Sequence, residues 1–277
     1  MTLYATDLDA TLLDPQARLS AVSADLYRRL LQAGKLVTFV TARTPATVES
    51  ILAPAHPQIP GVAMTGAAIW NPSTRLYESV RYHRPDDVAI IEDICRQHGL
   101  TPFVYTMPRG DNHLLVYHAE PNLEPIEREF VHDRTISDLK KFFIGEPAPA
   151  DSRACTVLFF GMGDFERVQA AVADIKAATD CYASWFPDTY HPGLCLLEVF
   201  APGVSKAEGL LQLKEMLGAD NIVAFGDNLN DIPMLRAADT AVAVENAHLD
   251  VKAVADIIIG PNTADSVMRF IAEREGL

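Results

Sequence analysis

Apolar runs bounded by polar turns divide both ends of the chain into alternating strands and helices. Leu3-Tyr4-Ala5-Thr6 is a short, almost unbroken apolar run ending in Asp7-Leu8-Asp9, the pattern of a strand buried on both faces. Ser20 to Leu31 spaces Val22, Leu26 and Leu30 at near-helical intervals, with Gly34 as the stop. Leu36 to Val40 predicts a second strand. Thr44-Pro45 then predicts a helix start, with Thr44 as N-cap and Pro45 at the first helical position. The last third repeats this grammar. Leu194 to Phe200 predicts a strand, and Ser205-Lys206-Ala207-Glu208 has the form of a capping box that opens a helix closed by Gly218. Ile222 to Phe225 predicts a buried strand ending at Gly226-Asp227; Thr240 to Val244 and Ile257 to Ile259 predict two more, and Asp265 to Glu273 a final helix. Strands alternating with helices predict an α/β fold, a doubly wound parallel sheet with right-handed crossovers.

The middle lacks that alternation. Short strands are expected between Gly61 and Tyr82, with a turn at Asn71-Pro72-Ser73, followed by a helix over Asp86 to Gln97 stopped by Gly99. Phe103 to Tyr105, Leu114 to Tyr117 and Cys155 to Phe160 predict strands, and Asp164 caps a helix presenting Phe165, Val168, Val172 and Ile175 on one face. The simplest organisation is an α/β module over 82–190 inserted into a discontinuous core of 1–81 and 191–277. Trp185, Phe186 and Tyr190 near its return are expected to close the module's core, with stacking on a substrate as the alternative.

The 277 residues are enough to bury a core without cross-links. A net charge of −14 argues against general binding to nucleic acid or to an anionic membrane. Cys95, Cys155, Cys181 and Cys195 form no CxxC pair and are expected to be reduced thiols of a cytoplasmic protein. No apolar run approaches the length of a membrane span or a signal core. His191 and Cys195 flank a turn and a strand rather than a metal pair.

Ligands of open parallel sheets bind beyond the carboxyl ends of the strands. The predicted ends deliver Asp7 and Asp9, then Thr41 and Arg43, then Asp227, Asn228, Asn230 and Asp231, with Lys206 at a helix start. Asp7, Asp9, Asp227 and Asp231 brought together are costly without a cation, and a few hard oxygen ligands suit Mg2+. Lys206 adds positive charge at a helix N-terminus, and Thr41 and Asn230 can donate to phosphate oxygens. Such a set is suited to phosphoryl transfer, with Asp7 as nucleophile and Asp9 as acid and base. Asp231 precedes Ile232-Pro233 and is equally suited to capping a helix.

Asp7-Leu8-Asp9-Ala10-Thr11-Leu12-Leu13 resembles the first motif, DxDGTLL, of the haloacid dehalogenase superfamily. Thr41-Ala42-Arg43 is similar to the second, Gly203-Val204-Ser205-Lys206 to the GVSK of the Cof-type (subclass IIB) phosphatases, and Gly226-Asp227-Asn228-Leu229-Asn230-Asp231 to GDxxND. Met64-Thr65-Gly66-Ala67 is similar to the family's NGA segment. The resemblance spans essentially the whole chain and implies a Rossmann-like core with an inserted α/β cap. It implies that Asp7 is the nucleophile, Asp9 the acid and base, and Asp7, the Asp9 carbonyl and Asp227 the Mg2+ ligands. It places Thr41, Lys206 and Asn230 on the transferred phosphoryl group, with Ala42 and Arg43 completing the second motif's share of that site, and Asp231 on Lys206 or the metal shell. Ala10 and Ala42 stand where the family has Gly, and Thr65 where it has Asn.

The implied activity is hydrolysis of a small phosphorylated metabolite, such as a sugar phosphate, nucleotide or phosphorylated cofactor. A phosphomutase of the same fold is an alternative. A phospho-acceptor signalling module is a poorer match, since such modules are near half this length and lack an insertion. A silent binding protein would not need intact Asp7, Asp9, Lys206 and Asp227. The sequence leaves the particular metabolite and the oligomeric state open.

Overall fold

The computed structural model describes residues 1–135, 137–188 and 191–277. The chain forms two units, one of Met1–Ser79 with Ser205–Leu277, the other of Val80–Val204. The first opens with β1 (Thr2–Thr6), α1 (Ala21–Gln32), β2 (Leu36–Phe39) and α2 (Pro45–Leu52), then β3 (Gly61–Ala63), β4 (Ala68–Asn71) and β5 (Leu76–Val80). The second holds α3 (Pro85–Gln97), β6 (Phe103–Thr106), β7 (Leu114–His118), α4 (Pro125–Arg134), β8 (Lys140–Ile144), β9 (Thr156–Asp164), α5 (Phe165–Ala178), β10 (Tyr182–Pro187) and β11 (Leu194–Phe200). The chain returns to the first unit through α6 (Lys206–Leu217), β12 (Asn221–Gly226), α7 (Ile232–Ala237), β13 (Thr240–Val244), α8 (Leu249–Val254), β14 (Ile257–Ile259) and α9 (Ser266–Glu275).

The first unit is built on a five-stranded sheet of order β14-β13-β12-β1-β2, parallel throughout. β1 lies inside it, and Leu3, Tyr4, Ala5 and Thr6 are all buried, which is why this strand reads as an unbroken run rather than an alternation. β12, its neighbour, buries Ile222 to Gly226 for the same reason. The ends of these two strands therefore stand side by side in the middle of the sheet. A parallel bridge from Val40 to Val62 brings β3 against the β2 edge, and β3 pairs antiparallel with β4. Ser20 caps α1 by accepting the Ser23 N–H at 2.9 Å. Thr44 occupies the N-cap of α2 without a side-chain cap bond; the Thr47 N–H donates to the Thr44 carbonyl at 2.9 Å, and Pro45 stands at the first helical position. Gly218 ends α6 in the left-handed region at φ +62°.

The second unit is a six-stranded sheet of order β10-β11-β9-β6-β7-β8, antiparallel except for the β7/β8 pair. On one face, Val88, Ile91 and Ile94 of α3 and Val168, Val172 and Ile175 of α5 form one apolar cluster with Phe159, Leu197 and Val199 of the sheet. Phe130 of α4 stacks on Phe160 at 4.8 Å and packs on Phe103 at 5.0 Å. Cys195 is buried in the α3/α5 cluster rather than beside a ligand, and His191 pairs with Asp188 in a turn. Trp185 is packed against that cluster and Phe186 is exposed; Tyr190 lies outside the described residues.

One expectation is corrected here. The strand Leu194–Phe200 is read from sequence as part of the parallel core, yet it pairs antiparallel with β9 and β10. Its alternating burial, with Cys195, Leu197 and Val199 inward and Leu194, Leu196 and Glu198 less so, is that of a half-buried antiparallel strand. The second unit accordingly runs on to Val204, past the 190 expected from sequence.

Candidate active site

Asp7 sits immediately beyond β1, 5% exposed, its N–H donating to the Phe225 carbonyl of β12 at 2.9 Å. Lys206 is the first residue of α6 and is 2% exposed. Ser205, at its N-cap, accepts the Glu208 N–H at 3.1 Å, which fixes where the helix starts and hence where the lysine stem emerges. The Lys206 ammonium donates to Asp7 Oδ1 at 2.7 Å and to Asp231 Oδ1 at 2.6 Å. Asp231 is wholly buried. Its other oxygen, Oδ2, accepts the N–H groups of Asp227 and Asn228 at 3.0 and 3.1 Å, so its carboxylate holds the lysine on one side and the β12 loop on the other. Asp231 does precede α7, but its side chain makes no cap bond to that helix.

Asp227 accepts the Thr11 hydroxyl on Oδ1 at 2.9 Å. Ligand oxygens of Asp7, Asp227 and Asp231 lie within 4.8 Å of one another. The fourth carboxylate does not join them. Asp9 is exposed and is gripped by both arms of Arg43, Nε to Oδ2 at 2.7 Å and Nη2 to Oδ1 at 2.6 Å. β1 has ended before both acids; the chain loops over Leu8–Leu12, with Ala10 in the left-handed region at φ +54°, and Asp9 meets Arg43 rather than the cluster. Thr41 is fully buried; its N–H donates to Val62, and its hydroxyl accepts the Arg43 N–H at 3.2 Å. Ala42 is partly buried between them, and Asn230 is exposed with no side-chain bond among the described residues.

Electrostatics follow from this crowding. Burial pushes the Asp7 carboxyl well above the ordinary range; Lys206 opposes the shift, and Asp231 and Asp227 reinforce it. Burial likewise raises Asp227 to about 6, against the Thr11 hydrogen bond. Burial alone would lower the Lys206 ammonium, but Asp7 and Asp231 outweigh it and hold it above its usual value. Three carboxylates share one buried ammonium, so the site carries surplus negative charge when all are ionised. Asp7 Oδ2 and Asp227 Oδ2 are the oxygens not engaged by Lys206 or Thr11, whereas both oxygens of Asp231 are engaged. A small hard cation with oxygen ligands fits that donor set.

Several participants were not singled out from sequence. Thr11, two residues past Asp9, anchors Asp227. Asn246 donates to the Ala10 carbonyl at 2.7 Å and Asn262 to the Leu13 carbonyl at 2.7 Å, supporting the loop that carries Asp9. Thr11 stands in the Asp7–Leu13 motif, where it was given no role of its own; for Asn246 and Asn262 the local signal was a polar residue following a predicted strand.

Fold and site together define an α/β enzyme with an acidic, lysine-bridged centre at the ends of two adjacent parallel strands. The family model of the haloacid dehalogenase-like hydrolases matches residues 4–271, and the chain belongs to that family. It is 28% identical to the pyridoxal phosphate phosphatase YbhA of Escherichia coli (strain K12), over 97% of each chain. It is 25% identical to the 5-amino-6-(5-phospho-D-ribitylamino)uracil phosphatase YitU of Bacillus subtilis (strain 168), over 98% of this chain and 96% of the relative. Among solved structures, a haloacid dehalogenase-like hydrolase from Bacteroides thetaiotaomicron superposes with a TM-score of 0.79 at 19% identity, covering 99% of both chains. A subclass IIB sugar phosphatase superposes at 0.75 and 19% identity, covering 100% of this chain and 99% of its own. No helix among the described residues is long and apolar enough to cross a membrane.

Proposed function

We propose that this chain is a magnesium-dependent phosphatase that hydrolyses a small phosphorylated metabolite through an aspartyl-phosphate on Asp7. The observation that carries the reading is the buried Lys206 ammonium bridging Asp7 and Asp231, with Asp227 alongside, at the ends of β1 and β12. The relatives named above are phosphatases of pyridoxal phosphate and of 5-amino-6-(5-phospho-D-ribitylamino)uracil, which supports a small phosphorylated substrate.

Asp7, Asp227 and the Asp9 carbonyl would hold Mg2+, which when bound supplies charge neutralisation between the attacking carboxylate and the anionic ester. Lys206 holds Asp7 by Oδ1 and so fixes the direction of its carboxylate. In the first transfer an Asp7 oxygen bonds to phosphorus as the bond to the leaving oxygen breaks, and Asp9 gives that oxygen its proton. In the second, Asp9 takes a proton from water, the water oxygen bonds to phosphorus, and the Asp7–phosphorus bond breaks. Arg43 orients the Asp9 carboxylate. Thr41, Ala42, Lys206 and Asn230 surround the transferred group, and Asp231 acts through Lys206.

The test is hydrolysis of 4-nitrophenyl phosphate and a panel of phosphate monoesters by the purified chain. Chelation should abolish turnover and added magnesium restore it. Asp7→Asn should lower kcat by roughly a thousandfold or more, given how slow the uncatalysed reaction is. Full turnover after exhaustive chelation would remove the metal from the reading, and an active Asp7→Asn would remove the nucleophile.

A further inference from the structure

Thr65 lies just past β3, in the same unit as the acidic centre, and three observations single it out. Its hydroxyl is buried with no hydrogen-bond partner among the described residues, and the residue is only 5% exposed. Its backbone is left-handed, at φ +57° and ψ +17°, directly after Met64 at φ +50°. A β-branched residue in that region is a genuine outlier, and such strain persists where the surroundings enforce it. The surroundings are the two elements that flank the site. The Thr65 N–H donates to the Thr41 carbonyl at 3.0 Å and the Met64 N–H to the Arg43 carbonyl at 3.0 Å. On the other side Gly66 is pressed against Ser205, where any Cβ would collide with the Ser205 carbonyl oxygen. Thr65 and Gly66 together therefore bridge the Thr41–Arg43 loop and the residue that precedes Lys206.

An unmatched buried hydroxyl destabilises the protein that keeps it, by an amount comparable to a lost hydrogen bond. Neither packing nor backbone geometry asks for it here. Val would fill the same volume, and Asn or Gly would suit the left-handed backbone better. We infer that the Thr65 hydroxyl is a further substrate-binding group of this phosphatase, donating its hydrogen bond to an oxygen of the bound phosphate ester. The inference rests on the phosphatase reading above, and it gives the buried donor an acceptor only when substrate is present.

The hydroxyl can be removed without changing shape. Thr65→Val keeps the β-branch and the backbone demand, so a purely structural role predicts unchanged or higher stability and unchanged kinetics. Substrate binding predicts instead a tenfold to hundredfold fall in kcat/KM for 4-nitrophenyl phosphate, a similar weakening of inhibition by inorganic phosphate, and no fall in Tm. Thr65→Ser, which restores the hydroxyl, should recover most of the loss. Wild-type kinetics in Thr65→Val would overturn the assignment, as would a loss that Thr65→Ser shares in full. If Thr65→Val does not fold, Thr65→Ala against Thr65→Ser makes the same comparison: activity in Ser but not Ala supports the role, and equal activity overturns it. A wild-type chain that neither hydrolyses phosphate monoesters nor binds phosphate would instead strike at the phosphatase reading, and this inference would fall with it.

Discussion

Replacing Asp231 by Asn tests whether the lysine bridge is what holds the centre together. The side chain is fully buried and each oxygen has its own task, one on Lys206 and the other on the N–H groups of Asp227 and Asn228. An amide keeps the shape but supplies one acceptor where two are used, so either the ammonium or the pair of N–H groups then faces an NH2 donor. Breaking a buried ion pair by removing one partner costs about 3–5 kcal/mol. Two considerations reduce that here: Asp7 still pairs with Lys206, and Asp7 and Asp227 lose a repelling neighbour. A destabilisation of about 3 kcal/mol is therefore expected. Unfolding should be followed by urea titration in chelator, in a Trp185→Phe background, so that fluorescence comes from Trp70, which is buried in the same unit as the site. A double-mutant cycle with Lys206→Met should give a coupling of at least about 1 kcal/mol. A loss below about 0.5 kcal/mol, no larger than for an exposed carboxylate such as Asp25, would show that the bridge does not hold the centre.

Three further outcomes follow. Ala10→Gly should raise stability by about 0.5–1 kcal/mol in urea titration, because the left-handed conformation at φ +54° costs Ala more than it costs Gly. Asp227→Asn should weaken magnesium binding, read by calorimetry, far more than Asp231→Asn, because both oxygens of Asp231 are already engaged. His83 should make the second unit acid-labile: burial lowers its imidazole to about 4, against the Val199 hydrogen bond and Asp87. The unfolded chain takes up that proton near 6.5 and the folded chain only near 4, so stability present above 6.5 falls by about 3 kcal/mol as pH drops through that window. His83→Gln should flatten this pH dependence, measured as urea midpoints between pH 7 and 4.

What the sequence made legible was what local pattern controls. A strand buried on both faces has no choice but to be apolar throughout, so β1 and β12 announced themselves, and with them the positions of Asp7 and Asp227. A helix start is written in its cap, so Lys206 was placed by Ser205 and Glu208 before any contact was known. What escaped depends on pairing across long stretches of chain. Leu194–Phe200 is as apolar as a core strand, and only its partners, far away at 156–164 and 182–187, decide that it is antiparallel. Glu198 in the middle of the run was the available warning, since a strand buried on both faces rarely carries a charged side chain.

The acidic centre shows the same limit at the scale of single side chains. Spacing put four carboxylates at strand ends, and from spacing alone they form one group. The structure gathers Asp7, Asp227 and Asp231 and sends Asp9 to Arg43, in a loop over Leu8–Leu12 that nothing in an apolar pattern encodes. The division matters for chemistry. A nucleophile should be dry and fixed, and Asp7 is buried and held by Lys206. A group that exchanges protons with a leaving oxygen and then with water needs access, and Asp9 is exposed. Two residues apart in sequence, the carboxylates acquire opposite surroundings because both lie past the end of β1, where strand alternation no longer fixes which way a side chain points. The loop that carries the chain past β1, with Ala10 at positive φ directly after Asp9, is thus as much part of the candidate site as the acids it holds.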